Sequence, residues 1–134
     1  MRRVGLITLI DRHGNYLLQH RDEGIKTLPG YWAFFGGKIE ENETPEEAMY
    51  RETKEELGIS LVDPKFVLET TFYDKYVPKG KKWVWIAYAE KQTQIVLGEG
   101  QGYGYFTLDE IRKMKVIDHD IETFEAIHEF VNKN

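Results

Sequence analysis

The sequence contains both a start signal and a stop signal for a helix between residues 44 and 58. This helix constrains the fold more than any other feature of the chain. The sequence Thr-Pro-Glu-Glu at residues 44–47 is a capping box with proline at the first helical position, and Gly58 is a typical helix stop. The pair Gly36-Gly37 precedes this segment, at a point where a flexible turn is expected. We therefore predict a turn followed by a helix that ends at Gly58.

The acidic residues of this helix lie closer together than is favourable for the stability of a helix. At 100° per residue, Glu52, Glu55 and Glu56 share an arc of about 100° on the helix surface. Carboxylates three and four residues apart repel by about 0.2–0.5 kcal/mol per pair, and the helix dipole disfavours anions in the last turns. Arg51 can pair with Glu47 and Glu55, but neither Glu52 nor Glu56 has a basic residue four positions on. Stability alone does not explain this arrangement.

The net charge of the protein resides in the same part of the chain. The 134 residues carry 18 basic and 23 acidic side chains, a net charge of −5. Residues 37–59 hold eight glutamates against three basic residues, which accounts for the whole −5 and leaves the other 111 residues neutral. Such a block is either a solvated face or a site for a hard cation, because carboxylate oxygens suit Mg²⁺, Mn²⁺ and Ca²⁺. An acidic chain without a basic stripe argues against a nucleic-acid polymer as partner.

Length and composition are those of an ordinary globular domain. At 134 residues with 41% apolar side chains, the chain fits a single domain with its own core. It contains no cysteine, which excludes disulfides, thiolate metal sites and cysteine nucleophiles. No apolar run approaches the roughly 18 residues of a membrane span, and no signal-peptide pattern begins the chain, so we expect a soluble, cytoplasmic protein.

Hydrophobic periodicity and turn residues predict a mixed α/β domain with helices packed on the sheet faces. The predicted strands are Val4–Ile10, Tyr16–His20, Tyr31–Phe35, Lys65–Val77 and Lys82–Ala89. A second capping box at residues 107–110 begins a short helix to about Met114, and a last helix ends at Val131. We interpret Asp118-His119-Asp120 as the N-cap of that last helix rather than as a metal cluster.

The spacing around the acidic helix resembles the Nudix box. Gly37 is followed after five residues by Glu43, and after seven more by the sequence Arg-Glu-Thr-Lys-Glu-Glu-Leu-Gly-Ile at residues 51–59. Thr53 stands where that pattern prefers Leu, Ile or Val, although threonine still packs half-buried. The length of the chain and its later sequence Glu-Gly-Gln at residues 99–101 are similar to small MutT-like members. The resemblance implies the α/β (α+β) Nudix fold, a mixed β-sheet sandwiched between helices, as one domain over residues 1–134.

This resemblance implies hydrolysis of a nucleoside diphosphate linked to another group, with Mg²⁺ required and Mn²⁺ possible in its place. The favoured reaction converts a nucleoside triphosphate to the monophosphate and pyrophosphate. ADP-ribose, a sugar nucleotide or a dinucleoside polyphosphate is the alternative substrate, and a Nudix domain that binds a nucleotide without cleaving it is a further alternative. A structural or Ca²⁺-buffering acidic helix is the hypothesis outside the family. We expect a monomer or homodimer that contacts no membrane.

The resemblance also assigns roles to individual residues. Metal ligation is implied for oxygen atoms of Gly37, Glu52, Glu55, Glu56 and Glu99. Glu52 and Glu99 are the candidates for the general base, and Arg51 is expected to orient the glutamates through a salt bridge. Since a nucleotide needs cations for its phosphates and aromatic rings for its base, we expect the substrate to contact Arg21, Lys38, Phe35, Tyr73, Trp83 and Tyr103.

Two departures from the family pattern concern the base. MutT-like enzymes that select oxidised guanine read the purine with an asparagine in the C-terminal region, and residues 95–131 contain none. Phe35 stands where those enzymes often carry proline before the glycine pair. Both departures argue against a preference for oxidised guanine and leave the phosphate chemistry unaffected.

Overall fold

A computed structural model describes residues 1–98 and 102–133 of the chain. The strands are β1 (Arg2–Ile10), β2 (Tyr16–His20), β3 (Trp32–Ala33), β4 (Phe35–Lys38), β5 (Lys65–Phe72), β6 (Gly80–Tyr88) and β7 (Gly102–Phe106). The helices are α1 (Pro45–Leu57), α2 (Leu108–Lys113) and α3 (Asp118–Val131), and a short 3₁₀ turn covers Ala89–Lys91. No helix in the described part of the chain is long and apolar enough to cross a membrane.

Strand β1 is the axis of one mixed sheet whose main order is β3-β2-β1-β6-β5. It runs parallel to β6 and antiparallel to β2 and β4, while β7 pairs with β2. The register of β4 places Gly37 opposite Gly5 and Gly36 opposite Leu6. The glycine pair therefore lies beside the middle of the sheet rather than at a free turn.

Helices cover both faces of this sheet, and alternate residues of β6 contribute to the two layers. One core cluster joins Trp85 and Ala87 to Met49 and Leu57 of α1. The other cluster joins Val84 and Ile86 to Ile111 of α2 and to Phe124 and Ile127 of α3. The predicted α+β class, with a mixed sheet sandwiched between helices, is confirmed.

The caps of α1 form as its sequence predicts. The Thr44 hydroxyl accepts a hydrogen bond from the Glu47 amide at 3.1 Å, and the Glu47 carboxylate accepts one from the Thr44 amide at 2.8 Å. Gly58 ends the helix in the left-handed conformation, with φ of 68°. The direction of α1, and with it the position of the acidic arc, is therefore fixed by local sequence at both ends.

Strand β5 is shorter than predicted, because a side chain turns the chain away from the sheet. It ends at Phe72 rather than at Val77. The Asp74 carboxylate atom Oδ1 accepts hydrogen bonds from the amides of Tyr76 at 2.7 Å and Val77 at 2.8 Å, and this Asx turn begins the connection to β6.

The N-cap interpretation of Asp118-His119-Asp120 is wrong. Helix α3 begins at Asp118, and its N-cap is Ile117, which provides no side-chain capping bond. Asp120 is instead 4% exposed, inside the layer between the sheet and α3. The predicted strand Tyr31–Phe35 is also divided, into the short strands β3 and β4.

Candidate active site

Two glycines allow α1, β1 and β4 to approach closely. A Cβ atom at Gly5 would lie 2.8 Å from the backbone carbonyl oxygen of Pro45 at the start of α1. Gly36 has φ of 123°, and a Cβ there would overlap the Gly5 carbonyl. Since only glycine adopts this conformation without strain, the crossing of α1 over β4 depends on the absence of side chains.

Glu56, near the end of α1, contacts the backbone of β4 directly. Its Oε1 atom accepts a hydrogen bond of 2.7 Å from the amide of Gly36. A charged acceptor makes this a strong bond, and it fixes the carboxylate against the strand. One of the crowded carboxylates is thus held by a neighbouring element rather than left in solvent.

Glu52, one turn earlier, lies against the next residue of the same strand. A Cβ atom at Gly37 would come within 2.7 Å of Glu52 Cδ, so the carboxylate occupies the space that any other residue would fill. The Glu52 side chain is 17% exposed. Burial raises the pKa of Glu52 above its usual value, against the hydrogen bond from Arg51, which lowers it.

Arg51 connects the acidic residues, and Glu55 is the one of its two predicted partners that it reaches. Its Nε and Nη2 atoms donate to the two carboxylate oxygens of Glu43 at 2.6 and 3.0 Å, and Nη1 donates to Glu52 at 3.0 Å. Nη1 also lies 3.5 Å from the exposed carboxylate of Glu55. The hydrogen bond from Arg51 lowers the pKa of Glu43 to about 2. Glu47, the other predicted partner, belongs to the capping box instead.

These side chains have the donor chemistry of a hard-cation site. Glu52 and Glu56 are four residues apart on one face of α1, beside the backbone of β4, and they offer only oxygen atoms. Within residues 1–98 and 102–133, no three acidic or histidine side chains already converge closely enough to hold a metal. Arg51 lies among them and supplies positive charge to the cluster. The residues therefore fit a divalent cation by type, and their convergence on one ion requires movement of side chains.

A cavity of about 90 Å³ lies on the far side of the same glycine pair. Its walls include Gly36, Gly37, Leu6 and Phe34, together with the partly buried Arg21. The Arg21 guanidinium donates to the carbonyl of Thr27 at 3.1 Å from Nε and 3.0 Å from Nη2. An apolar space with a basic group thus adjoins the acidic face of α1 across a single strand.

The other end of this cavity is lined by a polar network that sequence patterns did not reveal. Lys82 is 1% exposed, and its Nζ donates to Asp120 Oδ1 at 3.1 Å and to His119 Nδ1 at 2.9 Å. The opposite nitrogen of His119, Nε2, lies 2.8 Å from Asp74 Oδ2. Burial opposes ionisation of Asp120, but the charge of Lys82 outweighs it and holds the pKa of Asp120 below its usual value.

The comparison with known families agrees with this geometry. The family model described as the NUDIX domain matches residues 1–128, which is nearly the whole chain. The chain belongs to the Nudix family. Nudix hydrolases generally use a divalent metal, in agreement with the oxygen-only acidic face.

Solved Nudix structures share the whole fold. The MutT protein of Methanosarcina mazei superposes with a TM-score of 0.81 at 25% identity, over 99% of this chain and 96% of that one. The Nudix domain of Shewanella oneidensis NrtR, solved with ADP ribose, also gives 0.81, over 98% of this chain and 89% of that one, at 14% identity. The second likeness is evidence of the fold alone.

Curated relatives match a shorter segment of this Nudix chain. An 8-oxo-dGTP diphosphatase of Proteus vulgaris is 40% identical over 67 residues, which is 49% of this chain and 57% of that protein. The nucleoside triphosphatase NudI of Salmonella agona is 41% identical over 61 residues, 46% of this chain and 43% of that protein. The matched part thus spans about half the length of these relatives.

The structure brings together the Nudix-box residues but disperses the predicted substrate contacts. Phe35 is fully buried in the core beneath α1, so it has no surface with which to meet a ligand. Trp83 packs on the α1 side of the sheet, with the Arg3 guanidinium 5.1 Å and Lys81 Nζ 5.2 Å from its ring. It does not line the cavity that contains Arg21.

The remaining predicted residues lie at the surface or outside the described chain. Lys38 is exposed at the end of β4, and its carbonyl accepts a hydrogen bond of 3.1 Å from Arg51. Tyr73 is 79% exposed beside a separate groove, and Tyr103 is 42% exposed on β7. Glu99 lies outside the described residues, so its predicted roles as ligand and base stay predictions.

Proposed function

We propose that this Nudix chain hydrolyses a nucleoside triphosphate to the monophosphate and pyrophosphate, with Mg²⁺ as its cofactor and Mn²⁺ as a substitute. The observation that carries the proposal is the position of Glu52 and Glu56 against Gly36 and Gly37, on the strand that also borders a cavity with both apolar and charged walls. Phosphates and nucleoside would then occupy the two sides of one glycine pair. The names of the curated relatives support the same class of reaction.

The chemistry of the proposed reaction follows from the charges. A polyphosphate is repelled by the acidic face of α1 unless cations lie between them, and a bound divalent cation offsets phosphate charge and acidifies water. Water attacks one phosphorus of the polyphosphate, and the new P–O bond replaces the anhydride P–O bond. The leaving group departs as an anion and is pyrophosphate if the α-phosphorus is attacked, or the nucleoside monophosphate if the β-phosphorus is attacked. We assign Glu52 as the group that takes the proton of that water, because it lies against Gly37 and burial raises its pKa.

Arg51 acts on this reaction through Glu52 rather than on the substrate. The guanidinium is anchored by two hydrogen bonds to Glu43, and its third nitrogen donates to Glu52. Because a planar guanidinium presents its donors in a fixed fork, the contact sets the direction of the Glu52 carboxylate. We assign Arg51 as a positioning residue and Glu55, which is exposed, as a peripheral metal ligand.

A panel of nucleotides incubated with Mg²⁺ tests the proposal. We expect release of pyrophosphate from at least one nucleoside triphosphate, and a loss of roughly 100-fold or more in kcat for Glu56→Gln with the fold unchanged by circular dichroism. Glu129→Gln, a neutralisation of an exposed glutamate on α3, serves as the control and should leave kcat unchanged.

Product identity separates the alternatives. The protein could instead turn over only ADP-ribose, a sugar nucleotide or a dinucleoside polyphosphate. That result would change the assigned substrate class but leave the proposed hydrolysis of a phosphoanhydride bond in place. Tight nucleotide binding without turnover would favour a Nudix domain that binds a nucleotide without cleaving it. Metal binding with the same affinity in the presence and absence of nucleotide would favour a structural or Ca²⁺-buffering acidic helix. Undiminished turnover in Glu56→Gln would refute the assigned site.

A further inference from the structure

Two spaces of very different size meet at one wall. The cavity beside Gly36 and Gly37 measures about 90 Å³, whereas an open groove of about 980 Å³ lies between the β5–β6 connection and the start of α3. Phe72, Asp74 and His119 line both spaces, so these three side chains form the partition. No other wall of the cavity is shared with the groove among the residues that the structure describes.

The cavity is too small for the ligand that the proposed function requires. Pockets that bind small molecules and cofactors measure about 300–1,000 Å³, and 90 Å³ corresponds to a few water molecules. A nucleoside therefore cannot occupy this space while the partition is closed. Joining the cavity to the groove would provide the missing volume without any change in the sheet.

One hydrogen bond closes the partition. His119 Nε2 and Asp74 Oδ2 are 2.8 Å apart, which links the start of α3 to the β5–β6 connection. The His119 ring is fixed from its other side, because Nδ1 accepts from the buried Lys82 and the ring lies 4.6 Å from that of Phe72. With Lys82 donating to Nδ1, the Nε2–H group of His119 donates to Asp74.

The two sides of the partition are held differently. His119 belongs to a helix and is bonded to the buried network, so it stays with the protein body. Asp74 belongs to the connection of residues 73–79, where its other oxygen closes a local turn through Tyr76 and Val77. A further contact of this connection is the edge-on packing of Tyr76 against Tyr31, with ring centroids 6.0 Å apart. Release of Asp74 from His119 frees the carboxylate that forms this turn, so the turn loosens together with the latch. The end of the connection stays tied to β1, because the Arg2 amide donates to the Lys79 carbonyl at 3.0 Å.

We propose that the Asp74–His119 hydrogen bond is the latch of a gate, which opens to admit the nucleoside part of the substrate into the cavity beside Gly36 and Gly37. This inference rests on the proposed function for the identity of the ligand. When only a minor fraction of the protein is in the state that binds the ligand, the apparent Kd equals the Kd of that state divided by the fraction. Weakening the latch therefore tightens binding of a nucleotide, which is the opposite of what removing a ligand contact would do.

The test compares two ligands in one variant. His119→Phe keeps a ring against Phe72 and removes the hydrogen bond to Asp74. We expect Kd for a non-hydrolysable nucleoside triphosphate analogue, measured by calorimetry with Mg²⁺, to fall about tenfold, since the lost bond involves a charged group. Kd for inorganic tripolyphosphate, which has no nucleoside, should not change.

A matched control and a second variant keep the outcome unambiguous. His128→Phe removes a histidine on the same helix whose Nδ1 lies 2.8 Å from the Tyr16 hydroxyl, away from both spaces, and should alter neither Kd. Asp74→Asn retains an oxygen acceptor for Tyr76 and Val77 and weakens the latch from the other side, so a smaller tightening is expected. Asp74→Asn also provides the test of the latch if His119→Phe fails to fold.

Amide exchange provides a readout that needs no ligand. If the latch holds residues 73–79 closed, the amides of Tyr76 and Val77 should exchange several-fold faster in His119→Phe than in the wild type. Unchanged exchange and unchanged Kd values refute the gate, and weaker binding of the analogue identifies His119 as a simple ligand contact. A wild-type protein that hydrolyses no nucleotide refutes the proposed function instead, a result that the nucleotide panel shows independently.

Discussion

The Glu56 carboxylate accepts a 2.7 Å hydrogen bond from the backbone amide of Gly36, and this joins the end of α1 to strand β4. The bond couples an acidic side chain, whose position on the helix is unfavourable, to a peptide group that only glycine can present there. Charge crowding on α1 and the glycine-specific backbone of β4 are therefore two aspects of one site. Substitutions at its separate parts should have separable effects on stability and on activity.

The two glycines of β4 should respond differently to alanine. At Gly36, with φ of 123°, a Cβ atom would meet the backbone of Gly5, so Gly36→Ala should destabilise the fold by about 3 kcal/mol or more. At Gly37 the Cβ atom would meet only the end of the flexible Glu52 side chain. Gly37→Ala should thus cost less than about 1 kcal/mol but lower kcat roughly tenfold or more. Urea unfolding and pyrophosphate release measure the two effects, and equal losses of stability would contradict the roles assigned to the two glycines.

Arg51→Lys should reduce activity with little change in stability. A lysine cannot reproduce the paired hydrogen bonds to Glu43 together with the bond to Glu52, so the carboxylate of Glu52 loses its orientation. We expect a loss of about 10–100-fold in kcat, the range for residues that position metal ligands. The control is Arg112→Lys, at an exposed arginine bonded to Asp109 and Glu125. A similar loss in both variants would mean that Arg51 has no special role.

Removing one partner of the buried pair Lys82–Asp120 should cost more than removing both. Asp120→Asn leaves the ammonium of Lys82 buried without its counter-charge, a loss expected at about 3–5 kcal/mol. The double variant Lys82→Met with Asp120→Leu should recover much of this free energy of unfolding. Asp63→Asn, at the exposed pair with Lys91, should barely change stability. Additive effects in the double variant would show that the two charges are not coupled.

The same carboxylate should give the fold a dependence on acid pH. Burial raises the pKa of Asp120 in the folded state, but the charge of Lys82 outweighs it and holds the pKa below the value of 3.8 that the unfolded chain has. Its stabilising contribution is thus complete above about pH 4 and is lost as the pH falls through the folded-state pKa. The free energy of unfolding, measured between about pH 6 and pH 2, should fall less steeply in Asp120→Asn than in the wild type. An identical slope in both proteins would contradict the assignment.

Magnesium should stabilise the folded protein. A ligand that binds only the folded state adds about 2.7 kcal/mol at 100 times its dissociation constant, so the melting temperature should rise with Mg²⁺ concentration. Glu56→Gln should diminish this rise, because one acidic ligand of the proposed site becomes neutral. Glu129→Gln again supplies the control, and a rise that survives in Glu56→Gln would place the metal elsewhere.

The sequence could predict those features of the site that depend only on residues within one or two helical turns of each other. The capping box at Thr44, the stop at Gly58 and the shared arc of Glu52 and Glu56 follow from helix geometry alone, and each forms in the structure. The glycine pair ahead of the helix also indicated an unusual backbone, and Gly36 has one, although it lies in β4 rather than in the expected turn. Local rules thus locate the acidic face.

The features that were missed depend on tertiary contacts. Arg51 pairs with Glu43, eight residues away in the loop before the helix, because a guanidinium reaches past the i±4 positions that helix rules consider. Lys82 pairs with Asp120 across 38 residues, and only the packing of α3 on the sheet brings them together. One signal was available: Lys82 directly precedes the apolar run of a central strand, and a lysine buried there implies an acidic partner. The face on which Trp83 lies was undetermined, since β6 is apolar on both faces.

That two-faced strand has a consequence for how this protein can change during evolution. Lys82 and Trp83 are neighbours in β6, yet one belongs to the polar network under α3 and the other to the layer under α1. Point substitutions can therefore alter one layer while the other is preserved. Deletion of a single residue within β6 would exchange the two layers, placing an ammonium under α1 and an indole among the carboxylates. We expect related sequences to vary in length in their connecting loops and to keep the length of this strand constant.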